Sequence, residues 1–342
     1  MKKLISLTKV LIFCGILAGS ICGITIALLP RIPDFYKIYV FRRKSMITKR
    51  EFDTLVLLTE TKEVVSQKDM AERLKISAEA VNKTVKELTE KNYCKNGQIT
   101  QAGLDALEPY RVKRAVFVAA GFGSRMVPIT LNTPKPLVRV NGTRIIDSLL
   151  DAVVEAGIPE IVIVRGYLGE QFDQLLYKYP NIRFVENTIY NEANHISSAL
   201  CVRYLLQNAY VLEADLLLRN KKLIRKYEYE TNFLSIPVES TDDWCFATDH
   251  NGVITEEKVG GTDCHQMVGI SYCSEADGIK LANDLNEVYL SQGGKERYWE
   301  QVPLVYKKEN YQVHVRACIA EDITEIDTFN ELKAIDNRYV TG

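Results

Sequence analysis

The chain lacks several things that would have decided its class at once. Its eight cysteines, at 14, 22, 94, 201, 245, 264, 273 and 318, form no C-x-x-C pair and have no histidine at ligand spacing. That argues against a disulfide framework or a zinc site and favours a reduced thiol set. Charge is scarce in net terms: 342 residues carry a formal balance of −1, which gives no overall bias toward nucleic acid or acidic partners. Histidine is rare, with four residues, and tryptophan rarer, with two. The dinucleotide fingerprint is absent as well, because Met126 stands where G-x-G-x-x-G needs its third glycine, and no Gly-Lys-Ser/Thr follows to make a P-loop. What remains is an ordinary folded composition, 46% hydrophobic and 25% charged, long enough for about two domains.

The richest stretch is Ala119-Ala120-Gly121-Phe122-Gly123-Ser124-Arg125-Met126 with Pro134-Lys135-Pro136-Leu137 beyond it. It follows the apolar run Ala115 to Ala119, which reads as a buried strand, so the glycines fall where a strand turns into a loop and then a helix. Glycine tolerates positive φ there and lets backbone N–H groups approach an anion. Arg125 and Lys135 add a fork and a point charge beside that cradle, which suits a polyphosphate.

Read together, Ala119 to Leu137 resembles the signature of the nucleotidyltransferases that build NDP-sugars and CDP-alcohols, with Pro128, Thr130, Pro134, Lys135 and Leu137 in register. The resemblance implies a Rossmann-like, three-layer α/β domain with a mixed, mainly parallel sheet. It further implies a nucleotide site at Ala119, Ala120, Gly121, Gly123 and Ser124, and catalytic charges on Arg125 and Lys135. The segments Ile161 to Val164, Arg183 to Glu186 and Ala209 to Glu213 read as further strands. They alternate with helices at Ile145 to Ala156 and from about Gly169, as a parallel sheet covered on both faces requires. Ligands then gather at the carboxyl ends of the strands.

Asp215 closes the run Tyr210 to Asp215 at that edge. The family places a Mg²⁺-binding aspartate at the matching position; by itself an Asp there also serves as a turn former or cap. Far downstream, Thr324-Glu325-Ile326-Asp327 alternates like a strand before the helix Phe329 to Ile335. Alternation puts Glu325 and Asp327 on one face, and the resemblance assigns the second magnesium contact to this segment, with Asp327 ahead of Glu325 and a capping role as the alternative. Asn194 and Ser198 lie in a segment similar to the Asn-x-x-Ser stretch of cytidylyltransferases of the CDP-choline type, which lines their site. His195 has no named partner.

The acceptor is read from aromatics. Trp244, in Asp242-Asp243-Trp244, and Tyr298-Trp299, beside Glu300, follow an order similar to that of bacterial CTP:phosphocholine cytidylyltransferases. Aromatic faces near carboxylates attract quaternary ammonium groups; the alternative for these rings is core packing. The expectation is a Mg²⁺-dependent enzyme joining CTP, or another NTP, to a phosphorylated small molecule, with phosphocholine first. A sugar-1-phosphate acceptor, or a transcriptional regulator with a nucleotide-sensing domain, stand as alternatives.

The domain plan has three parts. Residues 1–45 contain the uncharged run Val10 to Leu29, long enough to span a bilayer. Flanking basic residues would keep the catalytic part cytoplasmic, with the membrane as a partner; an upstream misassigned start is the other reading. Residues 46–108 resemble a small winged helix-turn-helix regulator. Ser66 caps a helix Gln67 to Leu74, Ala78 to Asn92 is the recognition helix, and Asn96-Gly97 is the wing turn before a helix Ala102 to Leu107. Lys83 and Lys86 would meet DNA phosphates, with Asn82 and Thr84 as base readers. Between residues 46 and 107, ten Lys/Arg against ten Asp/Glu is a weak balance for a duplex binder. Residues 113–342 form the catalytic domain.

Overall fold

The computed structural model describes residues 47–61 and 64–340. Two compact units are distinguished, the first ending at Glu51 and the second running from Phe52. The apolar run Val10 to Leu29 lies outside the described residues, among which no helix is long and apolar enough to cross a membrane.

Helix α1 (Lys49–Thr59) is followed by α2 (Gln67–Leu74) and α3 (Ala78–Glu90). Ser66 caps α2, accepting from the Asp69 amide, and Ser77 caps α3, accepting from the Ala80 amide. Helix α3 stops two residues before the expected Asn92, whose φ of 59° is left-handed and ends the turn. Asn96 and Gly97, both at positive φ, join β1 (Cys94–Lys95) to β2 (Gln98–Ile99) in a hairpin. Helix α4 (Gln101–Leu107) follows. Thr84 is buried and its hydroxyl donates to the Ala80 carbonyl, so it is withdrawn from the surface on which a base reader would have to stand.

A seven-stranded sheet organises the rest. Strands β3 (Arg114–Ala119), β6 (Glu160–Arg165), β7 (Ile182–Glu186) and β8 (Ala209–Glu213) lie parallel in the order β8-β3-β6-β7. The sheet is extended through β11 (Ile254–Cys273), antiparallel to β8, then β10 (Asn232–Thr248) and β12 (His314–Ala317). Two small ladders stand beside it: β4 (Arg139–Val140) with β5 (Thr143–Arg144), and β9 (Leu216–Leu218) with β13 (Ile323–Glu325).

Alternation along β3 explains the layers. Ala115, Phe117 and Ala119 pack with Ile146, Leu149, Leu150 and Val153 of α5 (Ile145–Glu155). Val116 faces the other way, with Ile196 and Ala199 of α6 (Ile196–Cys201) and Leu281, Leu285 and Val288 of α7 (Glu275–Leu290). Helices cover both faces, as the βαβ pattern predicts. After the glycine loop the expected helix is only a short 3₁₀ turn, Ser124–Met126. Pro128, Pro134 and Pro136 follow too closely for a longer helix to propagate. A short helix, α8 (Phe329–Ile335), capped by Thr328, lies near the end of the chain.

Candidate active site

The carboxyl ends of β3 and β8 open into a cleft of about 650 Å³. Ala119, Ala120, Gly121, Gly123, Ser124 and Arg125 line one wall. Gly123 has φ +63°, and a Cβ there would sit 3.0 Å from Lys135 Cβ and 3.1 Å from Thr130 Cγ2. Only glycine lets the loop fold onto Lys135 without strain. A Cβ on Gly121 would meet nothing within 4 Å, leaving its side toward the cleft open. The loop is braced from behind: the Thr130 hydroxyl donates to the Gly123 carbonyl at 2.9 Å, and the Tyr167 amide donates to the Ala120 carbonyl at 3.1 Å.

Lys135 is 8% exposed and stands at the centre of the charges. Its Nζ donates to Asp215 Oδ2 and to Asp327 Oδ1, each at 2.6 Å. Burial alone would lower the ammonium pKa; the two carboxylates more than reverse this and hold it above its ordinary value. Arg125 reaches Asp327 Oδ2 at 2.6 Å. The β9–β13 ladder explains how residues so distant in sequence meet, since Glu325 pairs with Leu216 and the Ile326 amide donates to the Asp215 carbonyl at 3.2 Å.

Oxygens of Glu213, Asp215 and Glu325 lie within 4.8 Å of one another, and Asp215 Oδ1 is buried without a hydrogen-bond partner. Burial, reinforced by Asp215, pushes the Glu325 carboxyl up to about 8. This hard oxygen set, with an orphaned acceptor, fits a divalent cation. Within it the structure gathers Glu325 with Asp215, whereas Asp327, the expected leading ligand, is engaged by Lys135 and Arg125.

Asn194 and Ser198 both line the cleft. Asn194 also ties its loop across to the Glu296 carbonyl at 3.2 Å, and Ser198 accepts from Asn187 Nδ2 at 3.0 Å. At the far end Trp244 meets Tyr298 edge-on, and Tyr298 lies 4.7 Å from the His195 ring. His195 and Glu213 stand with the buried Glu300 in a second group. Glu300 Oε2 and His195 Nδ1 are buried and unpartnered. Burial pushes the Glu300 carboxyl up to about 7 and the His195 imidazole down to about 4. Glu257, behind Glu300, is pushed up to about 8 by burial and by that neighbour's charge.

Trp299 corrects the sequence reading. It is 4% exposed, stacks on Phe233 at 5.8 Å and belongs to the core beneath α7, so it cannot touch a ligand in the cleft. Glu213 is the functional candidate that sequence reasoning missed, while Glu300 was noted only as a carboxylate beside Tyr298-Trp299 and given no role of its own. Glu213 ends a strand at the ligand edge, one residue before Ala214-Asp215, and that position was its only signal.

A glycine loop, two clamped cations and a cluster of carboxylates at the open ends of parallel strands define an enzyme of phosphate-bearing substrates, of the nucleotide-transferring class. The comparisons with known proteins agree: the nucleotidyl transferase pattern matches residues 114–233. The chain is 36% identical over 229 residues to the 2-aminoethylphosphonate cytidylyltransferase of Lancefieldella rimae, covering 66% of this chain and 93% of that one. It is 30% identical to the choline-phosphate cytidylyltransferase of Streptococcus pneumoniae over 65% of this chain and 96% of that one. The solved CTP:phosphocholine cytidylyltransferase from Streptococcus pneumoniae superposes with a TM-score of 0.62 at 29% identity, covering 67% of this chain and 99% of that one. The chain belongs to the nucleotidyltransferase family.

Proposed function

We propose that the protein is a Mg²⁺-dependent cytidylyltransferase that transfers CMP from CTP to a small phosphonate or phosphate bearing an ammonium group. Both cytidylyltransferase relatives are named for acceptors of that kind. The observation that carries the acceptor class is the far end of the cleft, where Trp244 meets Tyr298, Tyr298 meets His195, and His195 groups with Glu213 and the buried Glu300. Aromatic faces and carboxylates together attract an ammonium group. Between the two kinds, a primary ammonium is favoured, as in 2-aminoethylphosphonate, because the unpartnered Glu300 Oε2 needs a hydrogen-bond donor that trimethylammonium lacks. Phosphocholine is the second reading, supported by the Trp244–Tyr298 pair.

The chemistry needs no protein nucleophile. An acceptor oxygen attacks the α-phosphorus of CTP in line, the bond from that phosphorus to the bridging oxygen breaks, and pyrophosphate leaves. The loop amides around Gly121 to Ser124 hold the phosphates, and Arg125 and Lys135 neutralise the charge that spreads in the transition state. Asp215, with Glu325 or Asp327, would hold Mg²⁺, which supplies further charge neutralisation when bound.

Residues 46–108 are proposed as a winged helix-turn-helix unit. Lys83, Lys86 and Asn82 are exposed on α3, but the even charge balance and the burial of Thr84 favour a packing or regulatory role over duplex recognition.

The deciding experiment for the enzyme measures pyrophosphate release with CTP and three acceptors. Transfer to 2-aminoethylphosphonate at higher kcat/KM than to phosphocholine supports the reading. Activity on a hexose-1-phosphate and on neither ammonium compound overturns it.

A further inference from the structure

We propose that Lys135 is a built-in placeholder for the divalent cation: its ammonium occupies the metal position between Asp215 and Asp327 and leaves only when nucleotide phosphates give it another partner. The inference rests on the nucleotidyltransferase reading of the cleft and concerns the order in which its cations move.

The geometry is specific. Lys135 Nζ stands 2.6 Å from Asp215 Oδ2 and 2.6 Å from Asp327 Oδ1, bridging carboxylates that belong to different segments of the chain. A divalent cation held by these two carboxylates would need the same two oxygens that the ammonium now engages. The two cations cannot share them. Lys135 is 8% exposed, so an ammonium displaced without a new anion would remain a buried, unpaired charge. Arg125, on the second Asp327 oxygen, adds positive charge against metal entry from that side.

The route out is also present. A Cβ on Gly123 would lie 3.0 Å from Lys135 Cβ, so the base of the lysine side chain rests against the glycine loop. A small rotation of a four-carbon stem carries Nζ from the carboxylates toward phosphates held by that loop. Metal and triphosphate therefore enter the Asp215–Asp327 position together, and free metal binds there weakly. Asp215 Oδ1, buried and without a hydrogen-bond partner, is the further acceptor that the exchange would use.

The test reads metal binding rather than turnover. Mn²⁺ is titrated into the full chain without nucleotide and followed by electron paramagnetic resonance. Lys135→Met, which keeps the stem and removes the charge, should bind Mn²⁺ at least about tenfold more tightly than wild type. Adding Asp215→Asn to that variant should abolish the gain. A folded Lys135→Met protein that binds Mn²⁺ no more tightly than wild type overturns the proposal. Should that variant fail to fold, the wild type decides. Its Mn²⁺ affinity should rise by about tenfold or more when the protein is saturated with the α,β-methylene analogue of CTP; equal affinity with and without the analogue rules the placeholder out. If no triphosphate analogue binds the wild type at all, the nucleotidyltransferase reading fails, whatever the metal titration of the variant shows.

Discussion

Trp244 and Tyr298 meet edge-on in the cleft, ring centroids 5.6 Å apart and planes at 66°. Trp244 comes from β10 and Tyr298 from the loop after α7, so the pair lines the far end of the cleft from two segments. Trp244→Ala should lower kcat/KM for an ammonium-bearing acceptor by about five- to thirty-fold. Use of CTP should hardly change. Trp299→Ala should behave differently, costing about 3–5 kcal/mol of stability through the cavity beside Phe233, with no selective effect on the acceptor. Steady-state kinetics and thermal melts of the two variants separate the roles; a selective acceptor defect in Trp299→Ala would return that residue to the site.

The two loop glycines should respond in opposite ways. Gly123→Ala forces a side chain to φ +63° and against Lys135, costing about 1–2 kcal/mol of backbone strain and displacing that lysine, so Tm and turnover should both fall. Gly121→Ala meets no protein atom within 4 Å. Its Tm should stay at the wild-type value while KM for CTP rises, because the added methyl stands where phosphate approaches the backbone. Unchanged KM in Gly121→Ala would place the phosphates elsewhere.

Local chemistry made much of this legible in the sequence. Ser66 as a cap, Asn96-Gly97 as a turn and Ala209 to Glu213 as a buried strand depend on near neighbours, and each falls where the residues indicated. The long β10–β11 hairpin was not legible, since its Gly260-Gly261 and register shifts break the two-residue alternation that marks a strand. Tyr298 and Trp299 show the limit most clearly. They are neighbours in sequence, but one faces the cleft and the other the core, and only the packing of α7 and Phe233 decides which. The burial of Glu300 was not legible for a related reason, because a charged residue is expected at the surface until a site claims it.

The boundary between the N-terminal helices and the catalytic domain can be tested through Tyr229. Its ring stacks on Tyr110 at 5.2 Å with planes 9° apart, and Phe52 lies 5.3 Å from it. A chain begun at Met46 keeps all three rings and should melt and turn over as the full chain does. One begun at Glu108 keeps Tyr110 but loses Phe52 and should be less stable by about 0.5–1.5 kcal/mol or more. Its kcat/KM at 25 °C should be unchanged, because among the described residues none before Val118 lines the cleft. Loss of activity in a folded protein begun at Glu108 would show that the helices contribute to catalysis.

Glu300 should leave a signature in the pH profile. Burial raises its carboxyl to about 7, so in the free enzyme it is neutral below that pH and ionised above it. An ammonium acceptor needs the ionised form. Its kcat/KM should therefore rise as pH increases through about 7 and level off above, since this parameter reports the free enzyme. The acceptor's own phosphonate titrates in a similar range, and 2-hydroxyethylphosphonate controls for it by keeping the phosphonate and losing the ammonium. The step should be larger for 2-aminoethylphosphonate than for the hydroxy analogue. Glu300→Gln should remove the difference and lower use of the amino compound alone. Identical profiles for both acceptors in the wild type would take Glu300 out of acceptor recognition.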